Sequence, residues 1–181
     1  EGYAELFQYL CYCVGINATQ VTGTANGGPH MWSAVCLGSE WYMLDVTWDD
    51  SGTDGMHYYT YFNLTANEMA AENHNPDAAG LRVPSCTSTE FAFYKHFALY
   101  VENLTAVPSN YKKVIDYVVS QGEKTLCIYS EAGSGEMQNY ISKQIFGSGS
   151  EVQKYIKSKG YNISFEPQYY ILGKYSYIRI K

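Results

Sequence analysis

The first fourteen residues follow the spacing of an amphipathic helix. Ala4, Phe7, Cys11 and Val14 recur every three or four positions, which places them on one helical face. Gly15 follows directly, and glycine commonly takes the left-handed conformation that closes a helix. The sequence therefore predicts a helix that ends at Gly15 and packs one face against the rest of the fold.

Two β-rich stretches after this helix form a predicted hairpin. They are His30–Leu37 and Trp41–Val46, and a glycine opens the short connection between them. A two-residue turn at 38–39 would pair Leu37 with Glu40, and glycine at the first turn position suits type II′. A short strand is also predicted upstream, at 19–22.

The register of this hairpin decides which side chains share a face. A two-residue turn places Trp32 opposite Asp45 and His30 opposite Thr47. Since side chains alternate across a sheet, all four would lie on one face, with His30 and Asp45 as diagonal neighbours. A three-residue turn would move Asp45 to the opposite face and separate the pair.

The rest of the chain shows a short capped helix and then alternating strands and helices. Thr65 and Glu68 have the spacing of a capping box, which predicts a helix start. The predicted elements are a helix at Ala66–Glu72, an irregular connection over Asn73–Ser88, a strand near Phe97–Val101, a helix at Tyr111–Ser120, a strand at Thr125–Tyr129, one or two helices between Gly135 and Lys159, and strands at Asn162–Glu166 and Tyr169–Ile180.

The charge of the chain is divided unevenly along its length. The net charge is −6, but residues 1–90 hold one basic and eleven acidic residues, whereas residues 91–181 hold eleven basic and seven acidic residues. This difference predicts two units, 1–90 and 91–181, with different surfaces. The lysines are scattered rather than clustered, so we expect no nucleic acid partner.

Composition narrows the class of protein further. The chain is 46% hydrophobic and 17% charged, as expected for a packed globular protein. No apolar run reaches the roughly 18 residues of a membrane helix, so we expect no membrane span. The 19 tyrosines with few lysines suit an extracellular or cell-surface location.

The cysteines indicate no metal site. Their spacings match no zinc template, and an odd number cannot all pair within the chain, so the disulfide pairing stays open. Three further histidines, His57, His74 and His96, have no ligand-like spacing and are expected at the surface or in loops. We predict no metal and no cofactor. The five cysteines are Cys11, Cys13, Cys36, Cys86 and Cys127.

His30 and Asp45 are the candidate catalytic residues. A carboxylate beside an imidazole fixes its tautomer and stabilises its protonated form, as in a nucleophile–His–Asp triad. From the residues alone, a purely structural His–Asp pair stays open as an alternative.

Three motifs in order carry a family resemblance. The strings EGYAELFQYLCYCVGI, GGPHMWSAV and WYMLDVTWDD resemble the transglutaminase-like superfamily of papain-related cysteine acyltransferases and proteases, in its bacterial form. The resemblance covers about the first 90 residues. It implies that His30 is the general base, that Asp45 orients it, and that Trp32 and Trp48 line or support the cleft.

The resemblance leaves the nucleophile outside this chain. The family's cysteine stands directly before the residue aligned with Glu1, at a helix N-terminus that lowers the thiol pKa. Cys11 lies roughly 15 Å further along the predicted helix, and Cys13 lies farther still, so neither is expected to replace it. We therefore expect the chain as given to be inactive.

Two explanations stay open for the absent thiol. Either the chain is part of a longer protein with that cysteine upstream, or it is a non-catalytic module that binds peptide or cell wall. The first is favoured, because a His–Asp pair has little use without a nucleophile.

The sequence thus predicts an α+β fold, with a transglutaminase-like core of one helix on an antiparallel sheet at 1–90 and a smaller α/β accessory unit at 91–181. The predicted function is thiol acyl transfer on peptide or protein amides, by transamidation or proteolysis.

Overall fold

The computed structural model describes residues 1–50, 55–77 and 84–181 and shows a mixed α+β fold. The predicted fold class is confirmed. By compactness the chain divides into two units, one formed by Glu1–Gly52 and Tyr61–Phe93 and the other by Thr53–Thr60 and Tyr94–Lys181. The assignment of 1–90 and 91–181 as separate domains stays a prediction.

The first unit is built on a four-stranded antiparallel sheet with the order β3-β2-β1-β4. Each strand pairs through its backbone with its neighbour, and two helices flank the sheet. The elements are α1 (Gly2–Cys13), β1 (Ala18–Ala25), β2 (Gly28–Leu37), β3 (Glu40–Leu44), α2 (Val46–Asp49), α3 (Ala66–Ala71) and β4 (His74–Pro76).

Helix α1 ends as the sequence predicts. Gly15 has a φ of 75°, which a side chain would resist. Its N–H donates to Tyr12 O at 3.1 Å, and the N–H of Ile16 donates to Cys11 O at 2.8 Å. These two bonds form a Schellman motif, which satisfies carbonyls at the helix end.

The packing face of α1 differs from the prediction at one position. Ala4 and Cys11 are buried, but Val14 is 71% exposed. Val14 is the C-cap residue, so the helical spacing no longer applies to its side chain. The buried side chains that Cys11 joins on this face of the sheet are Val35, Tyr42 and Leu44.

The β2–β3 hairpin has the predicted two-residue turn. Leu37 pairs with Glu40, and Gly38 has a φ of 66° while Ser39 does not take a positive φ, as in a type II′ turn. The predicted strand end is wrong, however. Strand β3 stops at Leu44, and the chain turns into α2, so Thr47 is helical and does not continue the strand opposite His30.

The other face of this sheet carries helix α3. The predicted capping box is present, because Thr65 Oγ1 accepts from the N–H of Glu68 at 3.1 Å and Glu68 Oε2 accepts from the N–H of Thr65 at 2.8 Å. The helix buries Met69 against the sheet. The core residues on this face are Val21, Trp32, Ala34, Met43, Leu64, Met69 and Cys86.

The connection predicted as irregular, 73–88, contains strand β4. This strand pairs with β1, with His74 opposite Ala25 and Pro76 opposite Gly23. Residues 78–83 of the connection lie outside the described residues. The short strand brings a segment beyond α3 back to the edge of the sheet.

The second unit is built on a sheet with the order β5-β6-β8-β7. Strands β5 and β6 are parallel, and the other pairs are antiparallel. The expected single strand at Tyr169–Ile180 is wrong, because a turn at Gly173, with a φ of 57°, divides it. The elements of this part of the chain are α4 (Phe93–His96, at the boundary of the units), β5 (Leu99–Tyr100), α5 (Tyr111–Gln121), β6 (Thr125–Tyr129), α6 (Ser134–Tyr140), a π-helix (Ile141–Ile145), α7 (Glu151–Lys159), β7 (Phe165–Leu172) and β8 (Tyr175–Ile180).

Among the described helices, none is both long and apolar enough to cross a bilayer.

Candidate active site

His30 and Asp45 meet where strand β3 ends. His30 lies on β2 opposite Gly23 of β1, and Asp45 directly follows the last residue of β3. Nε2 of His30 lies 2.6 Å from Oδ2 of Asp45, a short hydrogen bond. Asp45 is fully buried, whereas the His30 side chain is 15% exposed. The histidine is therefore the member of the pair that reaches solvent.

The backbone of α2 holds the second oxygen of Asp45. Asp45 is the N-cap of this helix, and its Oδ1 accepts from the N–H groups of Thr47 at 3.0 Å and Trp48 at 3.3 Å. An aspartate at an N-cap satisfies N–H groups that the first turn leaves without helical partners. The turn of the chain into α2, which the hairpin pattern did not predict, thus fixes the orientation of the carboxylate.

A second histidine, His74, contacts the same carboxylate. Its Nε2 lies 3.0 Å from Oδ2 of Asp45, and its Nδ1 lies 3.0 Å from the carbonyl oxygen of Glu72. The expectation that His74 lies at the surface or in a loop is wrong, because it sits on β4 with a side chain of 0% exposure. We call His30, Asp45 and His74 the Asp45 cluster.

The sequence held one signal for the position of His74. Helix α3 ends at Ala71, and Asn73, with a φ of 61°, turns the chain back toward the sheet. Asparagine after a helix end is a recognised stop signal. The end of helix α3 before Asn73 was therefore open to prediction, but the pairing of the following segment with β1 was not.

Aromatic rings surround the Asp45 cluster. The Trp48 ring lies 5.2 Å from that of His30 and 4.5 Å from that of His74, and the Trp32 ring lies 6.2 Å and 5.2 Å from the same two rings. Tyr61 lies 5.2 Å from His74. Trp32 is only 1% exposed and packs in the core, whereas Trp48 is half-buried. Trp32 therefore packs against the cluster from the core side of the sheet and does not line an open surface.

Opposing effects set the ionisation of Asp45. Burial acts to raise its pKa, but the hydrogen bonds from His74, His30 and the Trp48 backbone outweigh it, so the pKa lies below the ordinary value. Asp45 is therefore a carboxylate at neutral pH. Burial, together with the carboxylates of Glu72, Asp49 and Asp45, raises the pKa of the neighbouring Tyr61 to about 12.

A cleft of about 390 Å³ lies beside His30. Residues from β1, from β2 and from the start of α1 contribute to its wall, so the first turn of α1 and the imidazole border one space. The lining residues are Glu1, Thr22, Gly23, Pro29, His30, Met31 and Asp77.

The cysteines stand apart from this cleft. All five are free thiols. Cys11 is buried between α1 and the sheet, and Cys36 lies six positions from His30 along β2, roughly 20 Å away. Burial raises the pKa of Cys86 to about 11, so this thiol is protonated at neutral pH. Cys13 is exposed at the far end of α1, and Cys127 belongs to the second unit. None of the five lines the cleft beside His30.

The Asp45 cluster has the residue types of a metal site, which the cysteine and histidine spacing did not predict. Ligands about 2.0–2.2 Å from a tetrahedral zinc ion lie roughly 3.4 Å apart. The observed separation of 2.6 Å between His30 Nε2 and Asp45 Oδ2 is shorter. The distances from Asp45 Oδ2 to the two histidine Nε2 atoms, 2.6 and 3.0 Å, suit hydrogen bonds. A bound zinc ion would require both nitrogen atoms to move away from this oxygen.

Comparison with known proteins gives a partial similarity. No protein-family model matches the chain. The chain is similar to Kyphoscoliosis peptidase from Homo sapiens and from Mus musculus, with 28% identity over 95 residues in each case. The match covers 42% of this chain and 14% of each relative, so the chain corresponds to a small part of their length. These relatives are transglutaminase-like proteins, which loosely fits the superfamily that the three motifs resemble.

Proposed function

We propose that the first unit supplies the base and its orienting carboxylate for thiol acyl transfer on peptide or protein amides. The observation that carries this proposal is the 2.6 Å contact between His30 Nε2 and Asp45 Oδ2 beside an open cleft. The similarity to a transglutaminase-like peptidase supports a peptide-acting function of this type.

The contact with Asp45 selects the tautomer of His30. A carboxylate only accepts hydrogen bonds, so Nε2 carries the proton and its N–H donates a hydrogen bond to Oδ2. In neutral His30 the lone pair is then on Nδ1, which has no hydrogen-bond partner among the described residues. Nδ1 is therefore the atom that takes a proton from a nucleophile, and Asp45 stabilises the imidazolium that results.

The proposed nucleophile is a cysteine that directly precedes Glu1 in the full-length protein. Glu1 is the N-cap of the 12-residue helix α1 and lines the same cleft as His30. A thiol at this position would face the positive end of the helix, which favours the thiolate.

The reaction follows from these positions. The thiol proton moves to Nδ1 of His30 as sulfur bonds to the amide carbon, and the proton then passes to the leaving amine as the C–N bond breaks. Water or a second amine attacks the resulting thioester and gives up its proton to His30, which returns it to the departing thiolate. Attack by water gives proteolysis, and attack by an amine gives transamidation.

A non-catalytic module that binds peptide or cell wall is the competing function. It would keep the same cleft but would need no reactive thiol. A bacterial source and an extracellular location stay predictions from the sequence.

Thiol reactivity distinguishes these two functions. The chain is extended by an N-terminal segment that ends in cysteine directly before Glu1, and the rate of iodoacetamide labelling at each thiol is followed against pH by mass spectrometry. Exposed Cys13 is the internal reference. We expect the added thiol to titrate well below the ordinary value of about 8.5.

Substitutions then identify the source of that reactivity. His30→Ala should slow labelling of the added thiol markedly and leave Cys13 unchanged, and Asp45→Ala should slow it less. His57→Ala, at an exposed histidine of the second unit, is the matched control. If the added thiol follows the profile of Cys13 and does not respond to His30→Ala, the binding module becomes the better description.

A further inference from the structure

His74 occupies a site that only a double hydrogen-bond donor satisfies. Its Nδ1 faces the carbonyl oxygen of Glu72 and its Nε2 faces Oδ2 of Asp45, each at 3.0 Å. A carbonyl oxygen and an ionised carboxylate both accept hydrogen bonds and cannot donate them. A neutral imidazole has one N–H, so it satisfies only one of these contacts.

The alternative is a proton on Asp45, and its own contacts oppose it. Oδ1 accepts two backbone N–H groups from α2, and Oδ2 also receives Nε2 of His30. These donors stabilise the carboxylate, and the pKa of Asp45 is lowered accordingly. The remaining proton therefore belongs on the ring of His74.

Aromatic rings and carboxylates surround His74. The rings of Trp48, Trp32 and Tyr61 lie within 5.2 Å of its ring, at interplanar angles of 66°, 88° and 50°. The carboxylates that act on the adjoining Tyr61 are those of Glu72, the C-cap residue of α3, of Asp49 on α2 and of Asp45. Among the residues that the structure describes, His30 is the basic side chain in ring contact with His74, at 5.7 Å.

We propose that His74 is a positioning residue, held as an imidazolium at neutral pH, that balances the charge of Asp45 and thereby keeps His30 in its neutral, proton-accepting form. This role for His74 rests on the proposed function, whereas its protonation state does not. Without the positive charge of His74, the full charge of Asp45 would act on His30 and favour its protonation.

The charge state is measurable in the chain as it stands. Nitrogen-15 spectra of the histidine rings at neutral pH should show both nitrogens of His74 protonated, and His30 neutral with its proton on Nε2. The spectra should be the same after treatment with EDTA. A His74 ring with one protonated nitrogen would overturn the proposal, and a change on metal removal would identify a metal site instead.

The effect on His30 is tested with His74→Gln. Glutamine still donates to Asp45 but carries no charge. We expect His30 to bind its proton at least tenfold more tightly in this variant, so that its titration moves upward by about one pH unit or more. His57→Gln is the matched control and should leave that titration unchanged. A merely structural role of His74 predicts no upward movement, and that result would overturn the proposal.

Failure of this inference and failure of the proposed function give different results. If the thiol before Glu1 responds to His30→Ala while His74 is neutral, the inference fails alone. If His74 is an imidazolium while the thiol behaves like Cys13, thiol acyl transfer fails and the charge assignment stands.

Discussion

Asp45 and His30 lie 2.6 Å apart although Asp45 has no contact with solvent and His30 does. The carboxylate is held by four donors, and only one of them, the His30 ring, borders the cleft. The geometry therefore separates a fixed, buried charge from the imidazole that borders the cleft.

Replacing Asp45 with asparagine should reduce stability in a pH-dependent way. The pKa of Asp45 lies below 3.8 in the folded chain, so the carboxylate contributes stability at pH values above the unfolded pKa, and this contribution is lost as the pH falls through the folded pKa. We expect Asp45→Asn to lower the free energy of unfolding by about 3–5 kcal/mol at neutral pH, because it removes one partner of a buried pair.

Urea unfolding at a series of pH values checks this expectation. The gap between Asp45→Asn and the unchanged chain should narrow below pH 3.8. Asp77→Asn, at an exposed carboxylate, is the control and should change stability little. A gap that is constant down to acidic pH would show that the charge of Asp45 contributes nothing.

Substituting Gly23 with alanine should displace strand β4. A Cβ at Gly23 would collide with the carbonyl oxygen of Asn75 and lie 2.8 Å from both Pro76 Cα and Trp32 Cη2. Because the nearest atoms belong to backbone and to a buried ring, they cannot move cheaply. We expect a loss of about 2 kcal/mol or more in unfolding free energy, with altered ring signals of His74 on the same strand.

Gly28→Ala is the matched control for this experiment. Its Cβ would meet only Ala25 O, at an ordinary distance of 3.9 Å. Thermal unfolding and the histidine ring spectra should therefore change little in Gly28→Ala. Equal stability losses in both variants would contradict the close approach of β4 to Gly23.

The thiols of the unmodified chain should differ widely in alkylation rate. Cys13 is exposed, whereas Cys86 is buried with its pKa raised to about 11, so roughly a thousandth of Cys86 is thiolate at pH 8. Iodoacetamide labelling resolved by mass spectrometry should modify Cys13 first and Cys86 only after unfolding in urea. Rapid labelling of Cys86 in the folded chain would reopen it as a nucleophile.

The parts of the site that the sequence predicts are those set by short-range features of the chain, namely the turn and the alternation of side chains along a strand. The turn at Gly38 fixes the pairing of Leu37 with Glu40, and side-chain alternation then brings His30 and Asp45 to one face. Asp45 is also a favoured N-cap residue, but the strand pattern concealed the helix that it begins.

His74 escaped prediction for a physical reason. Strand β4 has three residues, too few for alternation to show which side is buried. Its position depends on pairing with β1, which is far away in sequence. It also depends on the lack of a side chain at Gly23, which allows β4 to approach β1 closely. Tertiary contacts of this kind leave no periodic pattern near the residue they position.

The separation of β4 from the hairpin along the chain has a consequence for folding order. The β2–β3 turn closes a loop of two residues, whereas the contact of His74 with Asp45 spans 29 positions and costs more chain entropy to close. The hairpin forms its ladder through short-range contacts, and His74 joins only when the segment after α3 returns to β1. We therefore expect His30 and Asp45 to come together before His74 joins them, so that hydrogen-exchange protection of β2 and β3 precedes that of β4 during refolding.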